Sequence, residues 1–305
     1  MTPPRPRVVA LVGPTGTGKT ELAIAVARRS GAEIVSADSM QVYRGMDVGT
    51  AKPSVALRAE IPHHGLDLVA PDEPMSAGRW AAIARAAALG AAARGRPLLL
   101  VGGTGLYARA FAGGLIPGAE SAPEVRAELE ARSTAELRAE LERVDPQSAA
   151  RIPVGDRVRS VRALEVARLA ARPISEQQAR HGFADRPFEL RWLGLALDRE
   201  RLARRLRERV ARMFNAGWVE EVRALRAAGL SRELRPMRAI GYREVNALLD
   251  GETNEAEAQE RIWIATRRYA KRQRTWFRAE PGLEWIDAEA RDAAVERALS
   301  ELSRR

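Results

Sequence analysis

Apolar and polar positions alternate along this chain in two different ways, and the change of rhythm divides it. Arg7-Val-Val-Ala-Leu-Val12 is a short apolar run of strand type, and Glu21-Leu-Ala-Ile-Ala-Val-Ala-Arg28 follows it with good helix formers. Gly31 to Asp38 reads as a turn and a second strand, Leu66-Asp-Leu-Val69 as a third, short one. Ser76 opens a helical stretch through Arg94, and Pro97-Leu-Leu-Leu-Val101 is a run with no polar face, the signature of a buried parallel strand. Gly102-Gly-Thr-Gly-Leu-Tyr107 then turns into another helix. Strand, helix, strand repeated in this way predicts an α/β fold, a doubly wound parallel sheet flanked by helices.

The rhythm changes after Gly113-Gly114. Pro123 to Arg172 is helical and charged, with capping-box spacing at Ser133-Thr-Ala-Glu136 and a proline-initiated helix at Asp145-Pro146. Strand character returns at Arg191-Trp-Leu-Gly-Leu-Ala-Leu197. Asp198 then caps a long helical region, and Leu283-Glu-Trp-Ile286 is a last short strand. The expected organisation is a core of residues 1–115 and 187–305 interrupted by an all-helical insertion, 116–186.

Composition narrows the chemistry. The chain of 305 residues has no cysteine, which removes disulfides and thiolate metal sites. His63-His64 beside Pro62 reads as a turn or packing feature, because no third metal ligand accompanies it. The first strand begins directly after Met1-Thr-Pro-Pro-Arg-Pro, and no apolar run reaches the ~20 residues of a membrane span, so a cytoplasmic protein without membrane association is expected. The net charge of +10 favours an anionic partner. Lys19, Lys52 and Lys271 are the only lysines among the 50 cations, which reads as a codon bias towards arginine.

Gly13-Pro-Thr-Gly-Thr-Gly-Lys-Thr20 fits the phosphate-loop pattern G-x-x-x-x-G-K-[ST], set between the first strand and the first helix. Its glycines let backbone N–H groups face an anion at the positive end of a helix. Lys19 would reach the outer phosphates and the Thr20 hydroxyl would sit on Mg²⁺. Residues 36–53 form a long polar loop of the kind that carries function. Asp38 stands at its start, where ligands of open α/β sheets bind. Three readings are open for it: magnesium partner, general base, or turn-capping residue. Ser39 and Gln41 are hydrogen-bonding neighbours able to read an acceptor's edge.

Arg261 to Arg278 holds seven cations and no acid, with four of the chain's fifteen aromatics. Arg267, Lys271, Arg274 and Arg278 fall on one helical face, and Ile262, Thr266, Tyr269, Gln273 and Trp276 on the other. Only an external polyanion relieves the self-repulsion of such a run, which points to nucleic acid. A second cluster, Arg201 to Arg212, offers forks for a phosphate, part of it neutralised by Glu200 and Glu208.

Taken together these motifs resemble the tRNA dimethylallyltransferases. Ser36 to Pro53 is close to that family's signature. Pro62-His-His64, Gly102 to Tyr107, Arg162-Ala-Leu-Glu-Val166, Ala239 to Glu244 and Thr266 to Arg278 follow in its order. The resemblance implies a phosphate-loop core of the nucleotide-binding type and transfer of a dimethylallyl group from dimethylallyl diphosphate to N6 of the adenosine beside the anticodon, at tRNA position 37. It implies that Gly13, Pro14, Thr15, Gly16, Thr17, Gly18, Lys19, Thr20 and Arg209 hold the diphosphate, with Mg²⁺ on Thr20, and that Asp38 and Thr104 are catalytic. It assigns tRNA contacts to Asp38, Ser39, Met40, Gln41, Arg126, Val158, Arg159, Ser160, Val161, Arg162, Ala239, Ile240, Gly241, Tyr242, Arg243 and Glu244. It assigns more to Lys271, Arg272, Gln273, Arg274, Thr275, Trp276, Phe277 and Arg278, in a protein expected to be monomeric. Gly155-Asp-Arg-Val-Arg159 departs from the family's Asn-Asp-Pro-x-Arg. The rival reading is a small-molecule or nucleoside kinase, which shares the loop, the sheet and the arginines; a vestigial loop on an RNA-binding protein is the third.

Overall fold

A strand buried on both faces has no use for polar alternation, and the apolar run Arg7–Val12 (β1) accordingly lies inside a six-stranded sheet. The computed structural model describes residues 5–115, 122–182 and 185–303. β1 pairs in parallel with Leu98–Gly102 (β4) on one side and Glu189–Ala196 (β5) on the other. Glu33–Ser36 (β2) and His63–His64 (β3) extend the sheet beyond β4, and Glu284–Asp287 (β6) extends it beyond β5, all in parallel. The strand order is β3-β2-β4-β1-β5-β6. Lys19–Ser30 (α1) and Arg291–Ser303 (α14) cover one face, where Leu22, Val26 and Val295 pack on Val9, Leu11, Leu99 and Leu193. Trp80 of Ala77–Ala93 (α3) stacks on Tyr107 of Gly105–Gly113 (α4) at 4.5 Å.

The short strand expected at Leu66–Val69 lies elsewhere. The strand is His63–His64, and Val69 reaches extended pairing only through a bridge to Tyr43. Asp67 explains the break, because its φ of 53° is left-handed and its carboxylate is drawn to Lys52 at 2.6 Å and Arg58 at 2.5 Å. Val55–Glu60 (α2) precedes this corner. The histidine pair packs: His64 Nε2 meets Glu33 at 2.7 Å. Burial pushes the Glu33 carboxyl up, and hydrogen bonds from His64 and Arg94 outweigh it and hold it below the ordinary range.

The chain separates into two compact units, Met1–Ala112 with Pro187–Arg305, and Gly113–Arg186. The boundary expected at residue 116 lies outside the described residues. The second unit is helical: Pro123–Ala131 (α5), Thr134–Val144 (α6), Pro146–Arg151 (α7), Arg157–Ala170 (α8) and Ile174–His181 (α9). The capping box at Ser133 and the Asp145 cap both form. Leu129, Leu137, Leu141, Val161 and Leu164 make its core.

In the first unit, Asp198 accepts from the N–H groups of Glu200 and Arg201 to start Arg199–Asn215 (α10). Trp218–Ala227 (α11), a 3₁₀ turn at Pro236–Arg238, and Tyr242–Leu249 (α12) follow. Asn254 caps Glu255–Arg278 (α13), whose 24 residues span about 36 Å. Among the described residues no helix is long and apolar enough to cross a membrane.

Candidate active site

The phosphate loop is shaped by its glycines. Gly13, Gly16 and Gly18 have φ of 130°, 84° and 88°, and α1 starts at Lys19 with no side-chain cap. The first N–H groups of α1 therefore stay open to a ligand. Lys19 Nζ folds back onto the Pro14 carbonyl at 2.6 Å, which also accepts from Thr17 Oγ1 at 2.9 Å. Burial first, then the nearby Arg209 guanidinium, lower the Lys19 pKa to about 7. Arg209, on the buried face of α10, is pushed down as well, by its own burial, against the pull of Asp38 and Glu21. Among the described residues Arg209 makes no ion pair. Both cations are part-buried and repel one another, Asp38 and Glu21 offset this only in part, and an entering phosphate would relieve the rest.

Across the same cavity, of about 500 Å³, stand Asp38, Thr20, Tyr269 and Gln273. Asp38 Oδ1 accepts from Met40 N at 2.8 Å and Gln41 N at 3.4 Å, so one oxygen fulfils the turn-capping reading. Oδ2 has no partner among the described residues. Thr104, from the turn after β4, accepts from Ser39 N at 3.1 Å, and its own N–H reaches Ala37 O at 3.1 Å. Asp38 and Thr104 are thereby locked together through Ser39. Tyr269 lines the same cavity; burial first, and then the Asp38 charge, raise the pKa of its hydroxyl to about 12. The Thr20 side chain is exposed and has no hydrogen-bond partner among the described residues.

Several expected RNA contacts turn out to be packed inside. Gln273 is 5 % exposed and bridges two turns: its Oε1 accepts from Thr15 N and its Nε2 donates to Gly103 O, each at 2.9 Å. A Cβ on Gly103 would lie 2.1 Å from Nε2, so any larger residue there must displace the Gln273 amide. Phe277 at 1 % and Tyr242 at 1 % exposure are core residues, and Glu244 is buried, accepting from Gly241 N at 2.7 Å. Ser160 and Val161 are buried in α8. Gln41 is held at both ends, by Ser36 Oγ at 2.8 Å and by the Thr50 and Ala51 carbonyls. Its amide braces the loop, which leaves it little freedom to read a base. Lys52, 1 % exposed at its side chain, ties the loop to Asp47, Asp67 and the Tyr43 carbonyl.

One residue that braces the long loop carries no signal in the sequence. Glu221 on α11 accepts from three consecutive N–H groups of the long loop, Asp47 at 2.7 Å, Val48 at 2.6 Å and Gly49 at 3.1 Å, and from Tyr242 Oη at 2.7 Å. Tyr269 shows in the sequence only as part of the apolar face of its helix.

The outer face of α13 keeps its charge uncompensated. Arg268, Lys271, Arg272, Arg274 and Arg278 are exposed and have no acidic partner among the described residues. Arg267 and Arg207 sandwich Trp263 at 4.5 and 3.9 Å. The cluster on α10 is different: Arg201, Arg205 and Arg207 pair with Glu289 and Glu260, leaving Arg209 turned to the cavity. In the second unit, Arg126 pairs with Glu130 at 2.9 Å, Arg159 with Asp156 at 2.8 Å and Arg162 with Glu165 at 2.6 Å.

A phosphate loop with two crowded cations, facing a free carboxylate oxygen across one cavity, in a chain that also carries a bare cationic helix, defines a group-transfer enzyme of the phosphate-loop class. The pattern of the IPP transferase family matches residues 41–280, and that of isopentenyl transferases matches residues 6–60. The chain belongs to the IPP transferase family. It is 49% identical over 285 residues to the tRNA dimethylallyltransferase of Geobacter sulfurreducens, covering 92% of each chain. It is 50% identical over 284 residues to that of an Anaeromyxobacter species, covering 92% of this chain and 94% of the other. Among solved structures, the full-length tRNA isopentenylpyrophosphate transferase of Bacillus halodurans superposes with a TM-score of 0.71 at 34% identity, over 97% of this chain and 96% of that one. A eukaryotic dimethylallyltransferase acting on tRNA gives a TM-score of 0.83 at 25% identity, over 96% of this chain and 77% of that one. None of these is a kinase, and that reading is not favoured.

Proposed function

We propose that the protein transfers a dimethylallyl group from dimethylallyl diphosphate to N6 of the adenosine 3′ of the tRNA anticodon, position 37, and releases diphosphate. The observation that carries the reading is the placement of Lys19 and Arg209, part-buried cations that repel one another, on the same cavity as the free Oδ2 of Asp38. The N6–C1 bond forms as the C1–O bond to diphosphate breaks, and the proton from N6 passes to the Asp38 carboxylate. Lys19, Arg209 and the open N–H groups of α1 stabilise the departing charge. The exocyclic amine is a poor nucleophile, so a positioned base and a site closed to water supply much of the acceleration. Thr104 holds the acceptor side in place through Ser39, and Tyr269 lines the same cavity. The adenosine must leave its stack to reach Asp38, and the uncompensated cations of α13 suit the phosphates around it.

The donor set suits Mg²⁺. Among the described residues no three His, Asp or Glu side chains cluster as a ready-made cage, and the free Thr20 hydroxyl fits an ion that takes its other ligands from phosphate and water. When bound, the ion neutralises diphosphate charge. Dimethylallyl diphosphate and tRNA are both met in the cytoplasm, which fits the chain's lack of cysteine.

The test is incubation of unmodified tRNA with labelled dimethylallyl diphosphate or labelled ATP. Label is expected in the nucleoside next to the anticodon with the first donor alone. Label transferred from ATP, or none transferred from either, overturns the reading.

A further inference from the structure

The phosphate loop is engaged from outside by a residue 258 positions away. Gln273 Oε1 accepts the N–H of Thr15, and Gln273 Nε2 is committed to Gly103 O. In a loop of this pattern the backbone N–H groups cradle the phosphates and the lysine reaches the outer ones, so each loop N–H taken by the protein is a donor withdrawn from the ligand. Thr15 stands just ahead of the turn at Gly16 and lines the cavity. Its N–H is occupied by Gln273 Oε1, a carbonyl oxygen with no proton to offer, and Gln273 lines the cavity. Asp38 lines the same cavity. A third phosphate entering beyond the second would meet the Gln273 carbonyl and the Asp38 carboxylate, both acceptors, and would find no free donor at Thr15.

We propose that Gln273 is a specificity-determining residue that limits this cradle to two phosphates and gives the place of a third to the allylic carbon of the donor. The proposal rests on the cavity being the diphosphate site. A carbonyl oxygen repels a phosphate but suits a carbon that gains positive charge as its bond to oxygen breaks. The side chain is held firmly in this position. It is 5 % exposed, hydrogen-bonded at both ends, and accommodated by a glycine at 103 that no larger residue replaces without moving it.

The test is calorimetric titration of the full-length chain with Mg²⁺ and either inorganic diphosphate or inorganic tripolyphosphate. The unaltered protein is expected to prefer diphosphate. Gln273→Met keeps the bulk, frees Thr15 N–H and removes the carbonyl, and should shift the preference towards tripolyphosphate by about tenfold, the value of one charge-assisted hydrogen bond. Gln273→Glu keeps the acceptor at Thr15 and adds charge, so it should shift the preference the opposite way; it serves if the methionine variant does not fold. An unchanged ratio in a folded variant overturns the role of Gln273 and leaves the diphosphate site standing. Failure of the unaltered protein to bind either anion overturns the site itself.

Discussion

Replacing Glu221 by glutamine tests how the long loop of residues 36–53 is kept in place. In the native arrangement Oε2 serves the N–H groups of Asp47 and Val48, and Oε1 serves Gly49 N–H and Tyr242 Oη. Glutamine offers one acceptor oxygen and an NH₂ that faces donors. With its oxygen towards Asp47 and Val48, two bonds persist without charge assistance, the Tyr242 hydroxyl turns round to accept, and Gly49 N–H loses its partner. Losing charge assistance on two bonds and one acceptor for a half-buried N–H amounts to roughly 2–4 kcal/mol. The loop starts at Asp38, so its displacement disturbs the acceptor side while the phosphate loop, on other elements, stays as it is. Steady-state transfer should show kcat/KM for tRNA falling about 30- to 1000-fold if all of that energy is lost from the productive geometry, with the diphosphate Kd within about threefold. Tyr242→Phe removes one of the four donors and should lower kcat/KM only about fivefold, near 1 kcal/mol. If Glu221→Gln leaves both kcat/KM and the unfolding midpoint unchanged, the clamp holds nothing and the reasoning is wrong.

Asp38→Asn should slow single-turnover transfer by about 10²–10⁴ at saturating donor and tRNA, the share of a positioned base, with binding of each nearly unchanged; transfer at the parent rate would make Asp38 a binding residue only. Arg274→Ala should make the plot of log K for tRNA against log salt shallower by about 0.7–0.9, one contact's worth, and an unchanged slope removes Arg274 from the phosphate contacts. Asp145 bears on acid stability. Burial raises its pKa, hydrogen bonds from Ser175 and Ser148 outweigh this, and the net shift is downward. A depressed carboxylate stabilises the fold above its unfolded pKa, and that contribution fades as pH drops below 3.8 through the lower folded value. The stability gap between the parent and Asp145→Asn in urea unfolding should therefore be constant from pH 7 to 5 and shrink below pH about 4; a gap that grows on acidification contradicts the assignment.

What could be read from the sequence was local. The phosphate loop announces itself because glycine turn, lysine and threonine are consecutive. The strands show because burial on both faces erases polar alternation, and α13 shows because its cations and apolar residues repeat at helical spacing. What stayed hidden depends on distant partners. Gln273 sits among seven cations and looks like one more RNA contact, yet its partner Thr15 is 258 residues away. Glu221 carries no motif, and the loop N–H groups it holds lie 172 to 174 residues upstream. Tyr242 has a polar tip that suits RNA equally well, and only the tertiary fold reveals that this tip meets Glu221. The strand misplaced at Leu66–Val69 failed for a local reason of another kind: a left-handed Asp67, held by Lys52 and Arg58, interrupts a segment of good strand composition.

At Gly155-Asp-Arg-Val-Arg159, where the family pattern has Asn-Asp-Pro-x-Arg, the entry to α8 is held by other means. Proline at the first helical position stiffens the entry to a helix, because its fixed φ suits the first turn and its missing N–H is not needed there. Arg157 takes that position here. Asp156 still caps α8, accepting from Arg159 N at 3.0 Å. Arg157 ties down the same corner from the side chain instead. Its guanidinium donates to Thr134 Oγ1 and Glu130 O at 3.0 Å each and to Arg132 O at 2.6 Å, fastening the start of α8 to the junction of α5 and α6. The residues after it keep a defined phase as a result: Val158 is 70% exposed and Arg159 points outward, while Ser160 and Val161 turn into the core. Along 158–162 the outward pair is exposed and Arg162 half-buried. The arginine secures with three hydrogen bonds the entry that proline secures with a ring.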